Sequence, residues 1–455
     1  MIRQLISRVL GRKSRPAKHT KEPDLIPFEQ HGIGCDALSS GSRRTVETLQ
    51  KNGYNAFVVG GAVRDLLAGI KPKDFDVATD ATPEQVRRCF RRSRIIGRRF
   101  QIVHVTMGQE IIEVTTFRGH HEQNGGPLAQ TDDQGRVLRD NVFGSQREDA
   151  ARRDFTINAL YYDPSSETVV DYHGGLADLK QKTLRMIGDP VTRYREDPVR
   201  MLRAVRLAAK LNFAIEPATR QPIGELAELI ENIPPSRLFD EMLKLLTSGH
   251  AIACLQQLRA QGLHHGLLPL LDVIFAQPLG ERFVMLALEN TDRRVREGKP
   301  ISPGFLFATL LWHEVLPQWE TLKAQGERPI PAFYQAMDSV LDVQAEKLAI
   351  TRRVAGDIKD IWSLQLRFEQ RSGKRPYRTL EQQRFKAGLD FLLMRAESGE
   401  VDSELGQWWS QFLEADGEGR AAMLISPASG EKKKRRRRPR KSAASTGEET
   451  TEQPG

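Results

Sequence analysis

The chain has 455 residues, a hydrophobic content of 39% and a formal net charge of +9, enough apolar material for a real core and, as a soft prior, about three domains. No apolar stretch reaches the roughly 18 residues of a membrane span, and no apolar segment of signal length follows the first basic residues, so neither spanning nor secretion is expected. Three scattered cysteines, Cys35, Cys89 and Cys254, fit a reducing cytoplasm and argue against a disulfide framework or a CxxC metal site.

Residues 1–40 read as a basic, poorly ordered arm. Within it MIRQLISRVLGR has the spacing of a short amphipathic helix; peripheral membrane contact through it is the lesser reading beside a frayed terminus. From 41 to 180 the pattern is mixed. Thr45–Lys51 is helical, Ala56–Val59 is a short strand ending in Gly60-Gly61, and Ala62–Ala68 returns to helical spacing. Asp74–Ala78 alternates as a strand. Thr82 and Pro83 begin another helix, as N-cap and first helical position. Ile102–Thr106 and Glu110–Phe117 read as strands joined by a turn at Met107-Gly108-Gln109. Residues 119–141 read as a long loop; Thr156–Tyr162 is apolar, and Val169–Tyr172 is a last strand. Beyond about residue 190 strand signals vanish, and helical patterns such as Val199–Leu211 and Arg237–Leu246 follow one another. Residues 181–248 and 249–425 form two successive all-α regions in this reading. Residues 426–455 have the composition of a disordered tail. The run KKKRRRRPRK at 432–441 holds nine bases and no acid, equal to the whole excess charge, so the folded part is not uniformly basic. Such a tail attracts a polyanion, and the attraction weakens steeply with salt; Lys432, Arg435 and Arg438 represent it among candidate RNA contacts.

The chemistry begins at Asp74-Phe75-Asp76. On a strand, alternate side chains share a face, so the two carboxylates point the same way. Paired carboxylates are hard oxygen ligands suited to Mg²⁺ or Mn²⁺, and phosphoryl transfer often uses two such ions. Alone, DxD is more often an ordinary half-exposed strand. Upstream, Val58-Val59-Gly60-Gly61-Ala62-Val63-Arg64-Asp65 is a strand, a glycine pair and a helix. Glycines let phosphate approach the backbone, the helix start supplies N–H groups, and Arg64 adds a candidate charged contact. Together the two segments say more than either does alone.

GGAVRDLLAGIKPKDFDVAT resembles the signature of the nucleotidyltransferase superfamily shared by bacterial poly(A) polymerases and class II CCA-adding enzymes. The similarity runs from about residue 40 to 245 and more loosely to about 415. It implies an α+β fold, with a head domain carrying a small mixed sheet followed by all-α neck, body and tail domains. It also implies ATP as substrate, a Mg²⁺ or Mn²⁺ requirement and action on RNA 3′ ends, with RNA-decay proteins as further partners and a monomeric, cytoplasmic state.

A third carboxylate has two candidates. Glu113 lies in IIEVTTFR, where the plain alternative is an exposed strand glutamate. Asp154 lies in RRDFTINAL, where it would otherwise N-cap the next helix. The resemblance assigns the RRD segment an acidic group and contacts to the nucleotide sugar, here Asp154 with Arg153 as neighbour; the two candidates stay unranked. In REDPVRMLRAVR, Asp197-Pro198 starts a helix, and Arg200, Arg203 and Arg206 recur every three residues on roughly one face. This segment is similar to the family's EDxxRxxRAxR motif, in which an acid and an arginine read the incoming base. That role is carried to Asp197 and Arg200, with Arg203 and Arg206 as further nucleotide contacts. A carboxylate and a guanidinium can match the donor amino group and acceptor nitrogens of adenine.

Residues 87–100 contain seven arginines and no acid, which favours phosphate contact over a solvated helix face; Arg98 and Arg99 are the RNA-binding candidates there. IIGRRFQIVHV is similar to the stretch that separates the polymerases from their CCA-adding relatives. The expected activity is therefore template-independent poly(A) addition, with CCA addition as runner-up and an inactive RNA-binding scaffold as the alternative of another class. His120-His121 and His264-His265 lack metal-ligand spacing, Trp408-Trp409 reads as core, and no HD-type phosphohydrolase pattern is present.

Overall fold

The computed structural model describes residues 22–97, 101–119, 129–131, 137–140, 142–263 and 278–425. Arg98, Arg99, Lys432, Arg435, Arg438, both histidine pairs and most of the 119–141 loop lie outside the described residues. The architecture is α+β. An eight-stranded mixed sheet occupies the first part of the chain and helices almost all of the rest.

The strands are β1 (Asp24–Ile26), β2 (Ala56–Val59), β3 (Asp76–Thr79), β4 (Ser93–Ile96), β5 (Ile102–Met107), β6 (Glu110–Thr116), β9 (Leu160–Asp163) and β10 (Thr168–Asp171), with β7 (Ala129–Thr131) and β8 (Val137–Asp140) forming a separate hairpin. Their order in the sheet is β1-β10-β9-β2-β3-β6-β5-β4. The β3–β6 pair is parallel and the other neighbours are antiparallel.

Alternation decides what each face meets. Val58, Val77, Val114, Val103 and Val105 point to one face, packed against Val46 and Leu49 of the helix Ser40–Lys51 and against Val86 and Phe90 in and beyond the helix Pro83–Cys89. The opposite face is covered over half its width, where Val59, Ala78, Tyr161 and Val170 meet Phe117, Ala150 and Ile187. Over the other half it carries polar and exposed groups, Asp76, Glu113, Thr106 and Arg94 among them. Burying one face fully and the other only in part leaves an open floor beside β3.

Four details depart from expectation. Residues 24–38 belong to the head, and not to an unpacked arm ending at 40. β1 pairs with β10, Ile26, Ile33 and Leu38 enter the core, and the Ile33 carbonyl accepts the Tyr162 hydroxyl at 3.0 Å. β3 begins at Asp76, two residues later than the alternation suggests: its partner β2 ends at Val59, opposite Asp76, because Gly60 turns the chain away. Ser93–Ile96 forms edge strand β4, a strand not expected within the basic segment 87–100. Two-residue strands β11 (Thr183–Leu184) and β12 (Ala214–Ile215) pair in parallel inside the otherwise helical region.

Helix starts follow local chemistry. Thr82 and Ser145 each close a capping box, with Gln85 and Glu148, and proline stands in the first turn of the helices beginning at 190, 217, 235, 303 and 329. One continuous core joins Phe155 and Ile157 of the head to the helices Val199–Leu211, Pro235–Leu246 and Pro303–Ala324. A smaller cluster holds Trp408 and Trp409 with Phe368, Phe385 and Phe412, so that pair packs as core. Among the described residues no helix is long and apolar enough to cross a membrane.

Candidate active site

The parallel register sets Asp76 opposite Glu113. Directly paired residues project from the same face, so the two carboxylates rise side by side from the open floor. Asp74, two residues before the strand, is exposed at its rim. The Asp76 carboxyl is open at its outer edge and packed by protein elsewhere. Its pKa is pushed up to about 6, first by burial and then by the Glu113 and Asp74 charges, against the pull of Arg153. Crowded carboxylates of this kind repel one another until a cation or protons relieve them.

The donor set fits a hard divalent ion. Among the described residues no three histidine, cysteine or acidic side chains are arranged to hold a metal by themselves. Mg²⁺ commonly takes one or two carboxylates and completes its shell with water and substrate phosphate oxygens.

Gly60 forms the adjoining wall. It adopts φ 78°, ψ −128°, a region essentially reserved for glycine, and a Cβ there would lie 3.3 Å from Arg153 Nη1. Arg153 is held from behind: its Nε donates to the Tyr161 hydroxyl at 3.1 Å, its Nη2 to Asp149 Oδ2 at 3.0 Å, and it lies 5.2 Å over the Tyr161 ring. Burial opposes its charge, but Tyr161 and Asp149 hold its pKa above the ordinary guanidinium range. Arg64, expected at the nucleotide, is turned inward and only 6% exposed. Its Nε and Nη2 donate to Asp65 and its Nη1 to Asn158 Oδ1 at 2.7 Å, while Lys210 grips the other Asp65 oxygen at 3.0 Å. Arg64 is thus part of a strut between the glycine turn and the helix Val199–Leu211.

The two candidates for the third carboxylate now differ in place. Glu113 faces the floor beside Asp76. Asp154 is fully engaged elsewhere: its Oδ2 accepts from Arg203 Nε at 2.8 Å and Nη2 at 2.7 Å, and its Oδ1 from Phe155 N–H and Asn158 Nδ2. Burial alone would raise its pKa, yet Arg203 and the other hydrogen bonds hold the carboxyl well below the usual carboxylate range.

The base-reading candidates are also internally paired. Arg237 donates to both Asp197 oxygens, at 3.1 and 3.0 Å. Arg200 Nη1 donates to the Arg193 carbonyl at 2.7 Å and to Glu196 at 3.0 Å. Arg203 and Arg206 both approach Glu241, and among the described residues the buried Arg206 Nε has no hydrogen-bond partner.

Sequence reasoning missed a cationic cluster beside the floor. Arg193 Nη2 donates to the carbonyls of Arg152 and Arg153, and Arg152 Nη1 to Gly119 O at 2.7 Å. The Arg152 pKa is lowered to about 10 by burial, then by Arg118, Arg193 and Arg200. Guanidinium groups crowded this way favour a bound polyanion. A signal existed: Arg193, Glu196 and Arg200 stand three and four apart, spacing that brings helical side chains together. Asn158, Arg237 and Glu241 gave none, because Arg64, Asp197 and Arg203, which they meet, lie far away in sequence, whereas Asp149 stands four residues before its partner Arg153.

Known proteins resemble this chain over most of its length. Residues 56–185 match a family model described as the poly A polymerase head domain, 212–275 one described as "Probable RNA and SrmB- binding site of polymerase A", and 325–442 one described as the polymerase A arginine-rich C-terminus. The chain is 48% identical over 396 residues to Poly(A) polymerase I of Salmonella typhimurium, covering 85% of each chain. It is 45% identical over 421 residues to Poly(A) polymerase I of Haemophilus influenzae, covering 90% of this chain and 93% of the relative. A crystal structure of the Bacillus stearothermophilus CCA-adding enzyme in complex with CTP aligns over 85% of this chain and 82% of its own, with a TM-score of 0.51 and 26% identity. Its fold therefore extends over most of this chain, while the sequence identity is higher with the two polymerases. On that agreement, the chain belongs to the bacterial poly(A) polymerase family.

Proposed function

We propose that this chain is a template-independent polynucleotide adenylyltransferase that transfers AMP from ATP to RNA 3′ ends and releases pyrophosphate. The observation that carries this reading is the register of Asp76 with Glu113 on adjacent parallel strands, with Asp74 at the rim. Asp74 and Asp76 would hold Mg²⁺ or Mn²⁺, and Glu113 is the third carboxylate. Such ions supply the chemistry of activating the RNA 3′-hydroxyl and neutralising the triphosphate.

The protein groups bind and orient. The Gly60 turn admits phosphate close to the backbone, and Arg153 adds a fixed positive charge beside it. Arg152, Arg193 and Arg200 make the region beside it cationic. Asp197 and Arg200 present fixed acceptor and donor groups to the base, and Arg237 and Glu196 hold them in place. Arg203 and Arg206 act one step back, Arg203 by clamping Asp154 and both by meeting Glu241. Arg64 positions the glycine turn through Asp65 and Asn158. No side-chain nucleophile is required, since the RNA hydroxyl attacks directly.

The test is incubation of an unrelated RNA, and separately of tRNA lacking its 3′ terminus, with each nucleoside triphosphate. Long adenylate tails on both support the reading. Addition that stops after three nucleotides and needs CTP identifies a CCA-adding enzyme, and absence of ATP turnover identifies a binding scaffold.

A further inference from the structure

The open half of the sheet is a grid whose content is fixed by register. One row reads Arg94, His104, Glu113, Asp76 across β4, β5, β6 and β3. The next row pairs Thr106 with Ile111, and the Thr106 N–H donates to the carbonyl of Arg92, two residues before Arg94 on the same face. Arg92, Arg94, Thr106 and Glu113 are exposed, and Ile111 is 60% exposed. Among the described residues neither Arg92 nor Arg94 makes an ion pair. Positive charge thus lines the outer edge of the face, an apolar side chain and an imidazole stand in its middle, and the catalytic carboxylates lie at its inner end.

Strand spacing places Arg94 about 14 Å from Asp76, a distance that a short run of nucleotides spans. Bare sheet faces are good platforms for single-stranded nucleic acid, because bases stack on side chains that stand perpendicular to the sheet while arginines meet the phosphates. A triphosphate fits this face poorly, since the groups nearest Asp76 on this side are Glu113 and Ile111 and the guanidinium crowd lies toward Arg153.

We propose that the β6–β5–β4 half-face is the platform for the last nucleotides of the RNA primer, with Arg92 and Arg94 on its phosphates and Ile111 and His104 under its bases. This inference rests on the adenylyltransferase reading, and it assigns the primer to the Glu113 side of Asp76 and the nucleotide to the Arg153 side.

The experiment uses the full chain and a short fluorescent oligoadenylate, in binding and in extension. The double variant Arg92→Glu/Arg94→Glu should weaken oligoadenylate binding about tenfold or more and lower the steepness of its salt dependence by about two phosphate contacts. In extension it should raise the primer KM while leaving the KM for ATP unchanged. Ile111→Gln should also raise the primer KM, with the salt slope preserved. The charge-matched control Arg44→Glu/Lys51→Glu alters exposed cations on the helix Ser40–Lys51, which covers the opposite face, and should have a much smaller effect. Unchanged oligoadenylate affinity, an equal loss in the control, or an effect confined to ATP would each overturn the platform. Absence of adenylate transfer in the unaltered chain would count against the proposed function, while the binding measurement judges the platform separately.

Discussion

Replacing Arg203 by methionine should destabilise the junction between sheet and helices by about 3 kcal/mol. Asp154 lies 10% exposed and receives two guanidinium hydrogen bonds, at 2.8 and 2.7 Å. Removing one partner of a buried ion pair costs about 3–5 kcal/mol, because the other charge is left unpaired; the 33% exposure of Arg203 places the cost at the lower end. Asp154→Asn should cost less, since the amide keeps an acceptor for Phe155 N–H. The double variant should cost less than the sum of the two singles, which measures the coupling.

The pH dependence has a defined sign. The folded pKa of Asp154 is depressed, so its contribution is fully present above the unfolded carboxylate value near 4 and is lost as pH falls through the folded value below it. In Arg203→Met the stranded carboxylate protonates more readily, so the gap to the parent should narrow between about pH 6 and pH 4. Every tryptophan lies beyond residue 300, so fluorescence does not report on this junction. Hydrogen exchange of residues 154–163 gives the local opening free energy. A cost below about 1 kcal/mol, or strict additivity of the two changes, would refute the clamp.

Four further outcomes follow from the geometry. Glu113→Gln should lower kcat by at least about 100-fold, more than Asp154→Asn does; the reverse order would return the third-carboxylate role to Asp154. Mg²⁺ affinity without nucleotide should fall as pH drops through about 6, where protons compete for Asp76, and Asp76→Asn should remove that transition in a calorimetric titration. Gly60→Ala should cost about 1–3 kcal/mol and raise the KM for ATP, because the backbone leaves φ 78° or the Cβ displaces Arg153; a thermal melt and kinetics like the parent's would contradict it. Deleting residues 430–455 should weaken RNA binding and flatten its salt dependence while leaving the chemical step intact, and an unchanged salt slope would exclude that role.

Much of the fold and of the site is legible in the amino-acid sequence. Gly60-Gly61, Asp76 and the Asp197-Pro198 helix start depend on neighbours in sequence, through a positive φ, strand alternation and fixed proline geometry. What escapes depends on register and long-range pairing. The choice between Glu113 and Asp154 needs β3 to lie parallel to β6. The inward turn of Arg64 needs Asn158, 94 positions away. Clamping of Asp197 needs Arg237, 40 positions away, and an arginine that reads as a ligand contact is indistinguishable in sequence from one that braces the contact. β4 is hidden because the arginines at 87–100 outweigh the short apolar pair Ile95-Ile96. β1 is hidden because three residues in a polar arm carry no period.

The measurement that bears most directly on the central claim is extension of a labelled, unstructured RNA with ATP and Mg²⁺ by the parent chain and by Asp74→Ala/Asp76→Ala, alongside RNA binding by both. The parent should build long adenylate tails and the double variant none, with RNA affinity unchanged. Continued polymerisation by the double variant would contradict the assignment of Asp74 and Asp76 as the groups that hold the metal ions.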